Sequence, residues 1–191
     1  MKNFKKAYFA GGCFWCTEAI FSRLKGVNDV YPGYTVGGVA NPKYKQVCLG
    51  ITGHAEAVEI LYDQSIISYN TLLEVFFSTH NPTTLNRQGN DIGSQYRSAI
   101  YCVAEDELKI AKSYINELIV ENVFTDVIIT EVNMLTRFYN AEIEHKEYFD
   151  LNTNQPYCAA VISPKIRKLM KQNKEILKLK MKQLKKLAIA I

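Results

Sequence analysis

The 191-residue chain has no uninterrupted apolar run near the ~18 residues that a membrane-spanning helix requires. Its first ten residues carry lysines and no apolar stretch, so no signal peptide is expected and the sequence reads as cytoplasmic. Cysteine is sparse and odd in number: Cys13, Cys16, Cys48, Cys102 and Cys158. In a reducing compartment that argues against a disulfide framework and leaves any sulfur chemistry catalytic or incidental. His54, His80 and His145 are isolated in sequence from one another and from any second cysteine pair, so no bound metal is expected. There is no internal repeat, and no linker rich in proline, glycine or serine precedes the C-terminal segment.

What remains is the composition of one globular domain, 48 % hydrophobic and 22 % charged, with 12 Tyr, 9 Phe and a single Trp. The net charge of +4 is unevenly spread. From Lys165 onward ten basic residues face one acid, a local charge of +9, and the rest of the chain carries −5. Nucleic acid is therefore not the expected partner, and the sequence divides into a domain over 1–164 and a lysine-rich tail over 165–191. Met170, Leu177, Leu184 and Ile191 stand seven apart in that tail, predicting a basic amphipathic helix. Such a helix packs on its own domain, pairs with another helix or lies on an anionic surface. A monomer away from membranes is the expectation.

Short β-like runs alternate with helical patterns. Strands are expected at Lys6–Ala10, Val27–Tyr31, His54–Tyr62, Gln95–Val103 and Val127–Val132, and helices at Cys13–Leu24, Tyr69–Thr79 and Glu105–Glu121. This is the pattern of an α/β two-layer sandwich. Two stretches, Pro32–Gly53 and Asn81–Gly93, exceed the ~4 to 6 residues of ordinary connections and are where function is expected to concentrate.

Gly11-Gly12-Cys13-Phe14-Trp15-Cys16 ends a strand and opens a helix. The glycines permit a tight turn that delivers Cys13 to a helix N-terminus, where free N–H groups favour a thiolate. Cys13 is the candidate nucleophile. Cys16, one turn on, shares a face with Ile20 and Leu24 and reads either as a small buried hydrophobe or as a redox partner. Glu56 shares a strand face with Val58, Ile60 and Tyr62. There it is either a buried acid that keeps its proton near neutral pH or a solvated carboxylate at the strand mouth. Asp91, Tyr96 and Tyr44 lie in or beside the long loops; taken singly, Asp91 reads as a turn former, Tyr96 as a half-buried strand aromatic, and Tyr44 as either packing or a phenol donor.

Taken together, Gly12 to Cys16, Thr52-Gly53-His54-Ala55-Glu56-Ala57-Val58, the run from Asn86 to Ser98 and Gln155-Pro156-Tyr157-Cys158 resemble peptide methionine sulfoxide reductase A, from about Tyr8 to Pro164. The resemblance implies a ferredoxin-like core and reduction of the S epimer of methionine sulfoxide, free or in proteins. It implies that Cys13 attacks sulfur, Glu56 protonates the oxygen, Tyr44 and Tyr96 hydrogen-bond it, Asp91 supports the polar network, and Phe14 with Trp15 holds the methyl group. A sulfenic acid on Cys13 would then condense with a resolving thiol. Cys158 is favoured for that role over Cys16 and direct external reduction; Cys48 stays open and Cys102 reads as core. No cofactor is implied beyond an external reductant, thioredoxin or another thiol. The chain departs from the family pattern at Asn81, usually Asp, and at Glu144 and Lys146, usually Tyr and Gln. Two other readings stay open: a general thiol–disulfide oxidoreductase using Cys13 and Cys16, and a binding module acting through the basic tail.

Overall fold

The computed structural model describes residues 4–172 and 174–177. In chain order the principal elements are β1 (Phe4–Gly11), α1 (Phe14–Phe21), β2 (Val27–Thr35), α2 (Tyr44–Cys48), β3 (Ala55–Asp63) and α3 (Tyr69–Thr79). The small hairpin β4 (Arg87–Gln88) and β5 (Asp91–Ile92) follows, then β6 (Ser98–Cys102), α4 (Glu105–Val120), β7 (Glu131–Met134), β8 (Phe138–Asn140), α5 (Tyr148–Leu151) and α6 (Ser163–Gln172). The main sheet has the order β7-β6-β1-β3-β2-β8, antiparallel throughout except for the parallel pair β6 and β7.

Strand β1 is central because its second half is apolar on both faces. Ala7 and Phe9 join one cluster, in which Phe9 stacks on Phe76 of α3 with ring centroids 4.9 Å apart. Helices α1 and α3 pack on β1 and α4 on β6 and β7, while α6 packs against α1 and α3. The opposite face presents Tyr8, Ala10, Ala55, Ala57, Ala99 and Tyr101. Its small alanines let Leu135 and Phe138 close over the sheet without a second helical layer. Helix α3 starts where expected because the Ser68 hydroxyl accepts from the Thr71 N–H at 3.0 Å, capping its first turn. No helix among the described residues is long and apolar enough to cross a membrane.

Several expected boundaries move. Helix α1 stops at Phe21, short of Leu24. Strand β2 continues past Tyr31 to Thr35 although Pro32 signals a break. Pro32 offers no N–H, but its carbonyl still accepts from Ala141 N at 2.9 Å, which keeps the strand paired on that side. At Gly33 a Cβ would stand 2.3 Å from both Phe138 Cζ and Tyr139 O, so glycine is what lets β8 close on β2. The strand expected from Gln95 begins only at Ser98, after a 3₁₀ turn at Ser94–Tyr96 that takes Tyr96 off the sheet. The strand expected at Val127–Val132 is found at Glu131–Met134.

The border expected between 164 and 165 falls within α6, whose Ile166 and Leu169 are buried. An unbroken helix from Lys165 is not what forms over the described residues. Helix α6 ends at Gln172 and a 3₁₀ turn at Lys174–Ile176 follows. Lys25 N donates to Ile176 O at 2.8 Å and Leu177 bridges to Leu24, an extended pairing that a helix cannot make. Leu184 and Ile191 lie outside the described residues.

Candidate active site

The turn between β1 and α1 depends on one glycine. Gly12 has φ +91°, and a Cβ there would lie 2.6 Å from Gln88 Cβ and Cγ. Gly12→Ala is therefore expected to cost roughly 2 to 4 kcal/mol, from left-handed strain and overpacking together. Urea denaturation measures this; an unchanged midpoint contradicts the tight-turn argument.

The turn sets Cys13 at the N-cap of α1, where its carbonyl accepts from Cys16 N at 3.0 Å. Cys13 is buried, and its thiol and that of Cys16 hydrogen-bond each other. Burial pushes the Cys13 thiol well above its ordinary pKa, and the neighbouring Cys16 and Glu56 push the same way. Cys16 is instead pulled down to about 7, first by the hydrogen bond from Cys13, with Lys165 and Tyr157 assisting. The expected thiolate at the head of α1 therefore settles on the second cysteine. A charge on Cys13 would sit dry beside an acid, whereas one on Cys16 has a donor and a cation.

Glu56 lies on β3 with Val58, Ile60 and Tyr62, all buried, and is itself only 1 % exposed. Its Oε2 accepts from the Phe14 N–H at 3.0 Å, tying it to the residue beside Cys13. Burial raises its pKa to about 8; that hydrogen bond opposes the rise and the Asp91 charge adds to it. Of the two readings of Glu56, the solvated carboxylate is the one the fold removes.

Tyr44 opens α2 and Tyr96 ends the 3₁₀ turn. Both phenols are held protonated, chiefly by burial, and both feel the charges of Glu56, Cys13 and Cys48. The Tyr44 phenol hydrogen-bonds Cys48, one turn along α2. Asp91, on the hairpin strand β5, accepts from the Tyr157 hydroxyl at 2.6 Å, and that hydroxyl stands 3.8 Å from Cys16 Sγ. Cys13, Tyr44, Tyr96 and Asp91 thus each come within electrostatic reach of Glu56, the five residues standing on five separate segments.

The aromatic wall divides into two layers. Phe14 is fully buried, with its ring 6.1 Å from Tyr44 and 5.3 Å from His145. Trp15 is half-buried. Its ring stacks on Tyr148 at 3.8 Å, and its Nε1 donates to His145 Nδ1 at 3.2 Å. Glu142 accepts from Tyr44 N at 2.9 Å and from the Tyr34 hydroxyl at 3.0 Å, fixing the start of α2. Tyr157, His145, Glu142 and Tyr148 are absent from the sequence-based set. Tyr157 sat within the motif ending at Cys158; the other three carried no spacing signal.

Cys158 is fully buried in a π-helical turn (Cys158–Ile162) and shares an apolar cluster with Cys13 and Cys16. Cys102 is core, with its sulfur 3.9 Å from the Tyr69 hydroxyl. The departures from the family pattern sit at the edge. Asn81 caps its own loop by accepting from Thr83 N and Oγ1, Lys146 hydrogen-bonds Asp29, and Glu144 is exposed.

The chain matches the family model described as peptide methionine sulfoxide reductase over residues 5–177. It is 52 % identical over 165 residues to the peptide methionine sulfoxide reductase MsrA of Saccharolobus solfataricus, covering 86 % of this chain and 92 % of that one. To the MsrA of Nautilia profundicola it is 50 % identical, covering 89 % and 96 %. Among solved structures, reduced Mxr1 from Saccharomyces cerevisiae superposes with a TM-score of 0.75 at 32 % identity, covering 81 % of this chain and 89 % of that one. Methionine sulfoxide reductase A of Corynebacterium diphtheriae does so at 0.70 and 33 %, covering 78 % and 75 %. Mxr1 has also been solved in complex with Trx2. With a shared mixed α/β architecture and a match along nearly all its described length, the chain belongs to the peptide methionine sulfoxide reductase A family.

Proposed function

We propose that this site reduces the S epimer of methionine sulfoxide, free or within proteins, by attack of Cys13 on sulfur and proton donation from Glu56. The observation that carries the reading is a buried carboxylic acid, tied to the Phe14 N–H beside a cysteine, whose pKa of about 8 keeps it protonated at neutral pH. A sulfoxide oxygen is a poor leaving group until protonated, and sulfur is a soft electrophile that a thiol attacks well.

As the Cys13 sulfur bonds to the substrate sulfur, its proton leaves along the hydrogen bond to Cys16 while the sulfoxide oxygen takes the proton of Glu56. The hydroxyl then passes to Cys13 as the sulfur–sulfur bond breaks. The thioether gains two electrons and Cys13 loses two, becoming a sulfenic acid. Tyr44 and Tyr96, both kept protonated, donate to the oxygen, and Asp91 orients the network through Tyr157. Trp15, backed by Phe14, receives the methyl group. Cys158 is the resolving thiol that passes the oxidising equivalent outward.

The reductant in this reading is a thioredoxin-like dithiol, by likeness to Mxr1, and no bound cofactor is invoked. The split βαββαβ succession with strand order β6-β1-β3-β2 is read as the ferredoxin-like core. Five free cysteines suit a reducing cytoplasm. The general thiol–disulfide oxidoreductase reading is not favoured, because the matched relatives named here are sulfoxide reductases.

Fully reduced protein with dithiothreitol is expected to convert the S-sulfoxide of a blocked methionine to the thioether, at least ~100-fold faster than the R-sulfoxide. Chromatography of the products measures both. No methionine from either epimer, or equal rates, contradicts the reading.

A further inference from the structure

Glu18 takes no part in the proposed reaction, yet it is an acidic residue only 2 % exposed on α1, three residues after Trp15 and so on the same helical face. Burial pushes its pKa up to about 7, and the charges of Glu147 and Asp150 add to the rise; a hydrogen bond from the Glu147 N–H and the charge of Lys146 oppose it. A buried carboxyl group is costly unless its partners hold it. Here Oε1 accepts from the Glu147 N–H at 2.8 Å and stands 3.9 Å from Lys146 Nζ.

Those two partners form a strained turn. Glu147 has φ +55°, in the left-handed region that residues with a Cβ rarely adopt, and it is the N-cap of α5 without a side-chain cap. Such a conformation persists only where its surroundings impose it. On its N-terminal side Lys146, where the family pattern has Gln, donates to Asp29 and to the Val30 carbonyl of β2 and lies 4.4 Å from the centre of the Tyr31 ring. On its C-terminal side comes Tyr148, whose ring stacks on Trp15 at 3.8 Å with 8° between the planes. Further along α1, Arg23 pairs with Asp150 of α5 at 2.5 Å. The turn is thus pinned to β2 by Lys146 and to α1 by Glu18, and Glu18 rides on the same helix as the ring that Tyr148 covers.

We propose that Glu18, assisted by Lys146, is the positioning residue of the methyl-binding wall: it holds Glu147 in its left-handed turn so that Tyr148 stays stacked on Trp15. The inference rests on the reductase reading, in which Trp15 receives the substrate methyl group. Stacked rings present a flat apolar surface before substrate arrives, so little side-chain freedom is lost on binding. Without the pin, Glu147 relaxes to an ordinary conformation, Tyr148 leaves Trp15, and the substrate must order the wall itself. That cost falls on ground state and transition state alike, so KM rises while kcat holds.

Trp15 is the single tryptophan of the chain, so its fluorescence reports this contact without any turnover. In full-length reduced protein, Glu18→Leu, similar in size but with no acceptor, is expected to move Trp15 emission to longer wavelength as water replaces Tyr148. It is also expected to raise KM for the S-sulfoxide of a blocked methionine roughly 3- to 20-fold, with kcat within about threefold of the wild type. Glu18→Gln keeps an oxygen for the Glu147 N–H and is expected to restore the emission and to bring KM within about twofold of the wild type. Lys146→Met removes the pin on β2 at a half-buried position and is expected to move emission and KM in the same direction as Glu18→Leu. An unmoved emission or an unmoved KM in Glu18→Leu overturns the proposal, and so does Glu18→Gln behaving as Glu18→Leu does. Where Glu18→Leu does not fold, either of those unmoved readings in Lys146→Met overturns it. Absence of methionine in the wild type overturns the reductase reading instead, and the emission comparison still decides whether Glu18 holds Tyr148 on Trp15.

Discussion

Cys13→Ser is expected to abolish methionine formation, with a loss of roughly 10⁴-fold or more in single-turnover rate, while the protein stays folded. The substitution removes the soft nucleophile and changes little else. An alcohol at this position would have to accept the sulfoxide oxygen and form an oxygen–oxygen bond, for which the site supplies no driving force. Serine is nearly isosteric with cysteine, and the Cys13 backbone contacts that start α1 do not involve the side chain. The cost in stability is therefore about 1 kcal/mol, from one hydroxyl placed in a mostly apolar cluster. Rapid-quench product analysis with purified protein measures the rate, and a denaturation curve confirms the fold. Turnover above about a hundredth of the wild-type rate would mean that another sulfur does the chemistry. Cys16 is the alternative such a result points to, being the cysteine whose thiolate the surroundings favour at neutral pH.

That contrast marks what a sequence conveys about this site. The Gly12–Cys16 segment announces a thiol at a helix start, and strand parity places Glu56 among Val58, Ile60 and Tyr62, because both follow from local periodicity. The distribution of charge over the two cysteines does not follow from local order. It depends on Lys165 and Tyr157, which reach Cys16 from more than 140 residues away in sequence, and on burial that only the assembled core imposes. Tyr96 has the same origin. A strand through Gln95 would have made it one more sheet aromatic, but the 3₁₀ turn after Gly93 lifts it toward Glu56. Gly93 has φ +147°, and a Cβ there would meet Gln95 Oε1 at 2.3 Å, so the turn too depends on glycine. His145 and Glu142 were hidden for a further reason. They lie after β8, a three-residue edge strand with too little length for a period, and each acquires meaning only through contact with Trp15 or Tyr44.

Glu56→Gln is expected to give a protein that is both inactive and, above neutral pH, more stable than its parent. Glutamine keeps an oxygen to accept from Phe14 N–H but holds no acidic proton, so the chemical step should fall about 10²- to 10⁴-fold with substrate binding changed by less than about threefold. In the wild type, the single-turnover rate should fall as pH rises through about 8, where Glu56 ionises, and the variant should lack that limb. Stability follows from the same titration. The carboxyl has its ordinary value of 4.5 in the unfolded chain and about 8 in the folded one, chiefly through burial. Below about 4.5 it is neutral in both states and costs nothing. As pH rises from there the unfolded chain ionises while the folded one must retain the proton. Relative stability is lost progressively until pH passes about 8, beyond which the penalty is constant. At about 1.4 kcal/mol per pKa unit this amounts to several kcal/mol. The difference in stability between variant and wild type, measured by urea denaturation from pH 5 to pH 9, should therefore grow in favour of the variant across that interval. Every other titrating group is common to both proteins and cancels to first order. A difference that stays flat with pH places Glu56 in water and removes it as the proton donor. A rising difference joined to lost activity identifies an acid that folding disfavours and that the chemistry requires.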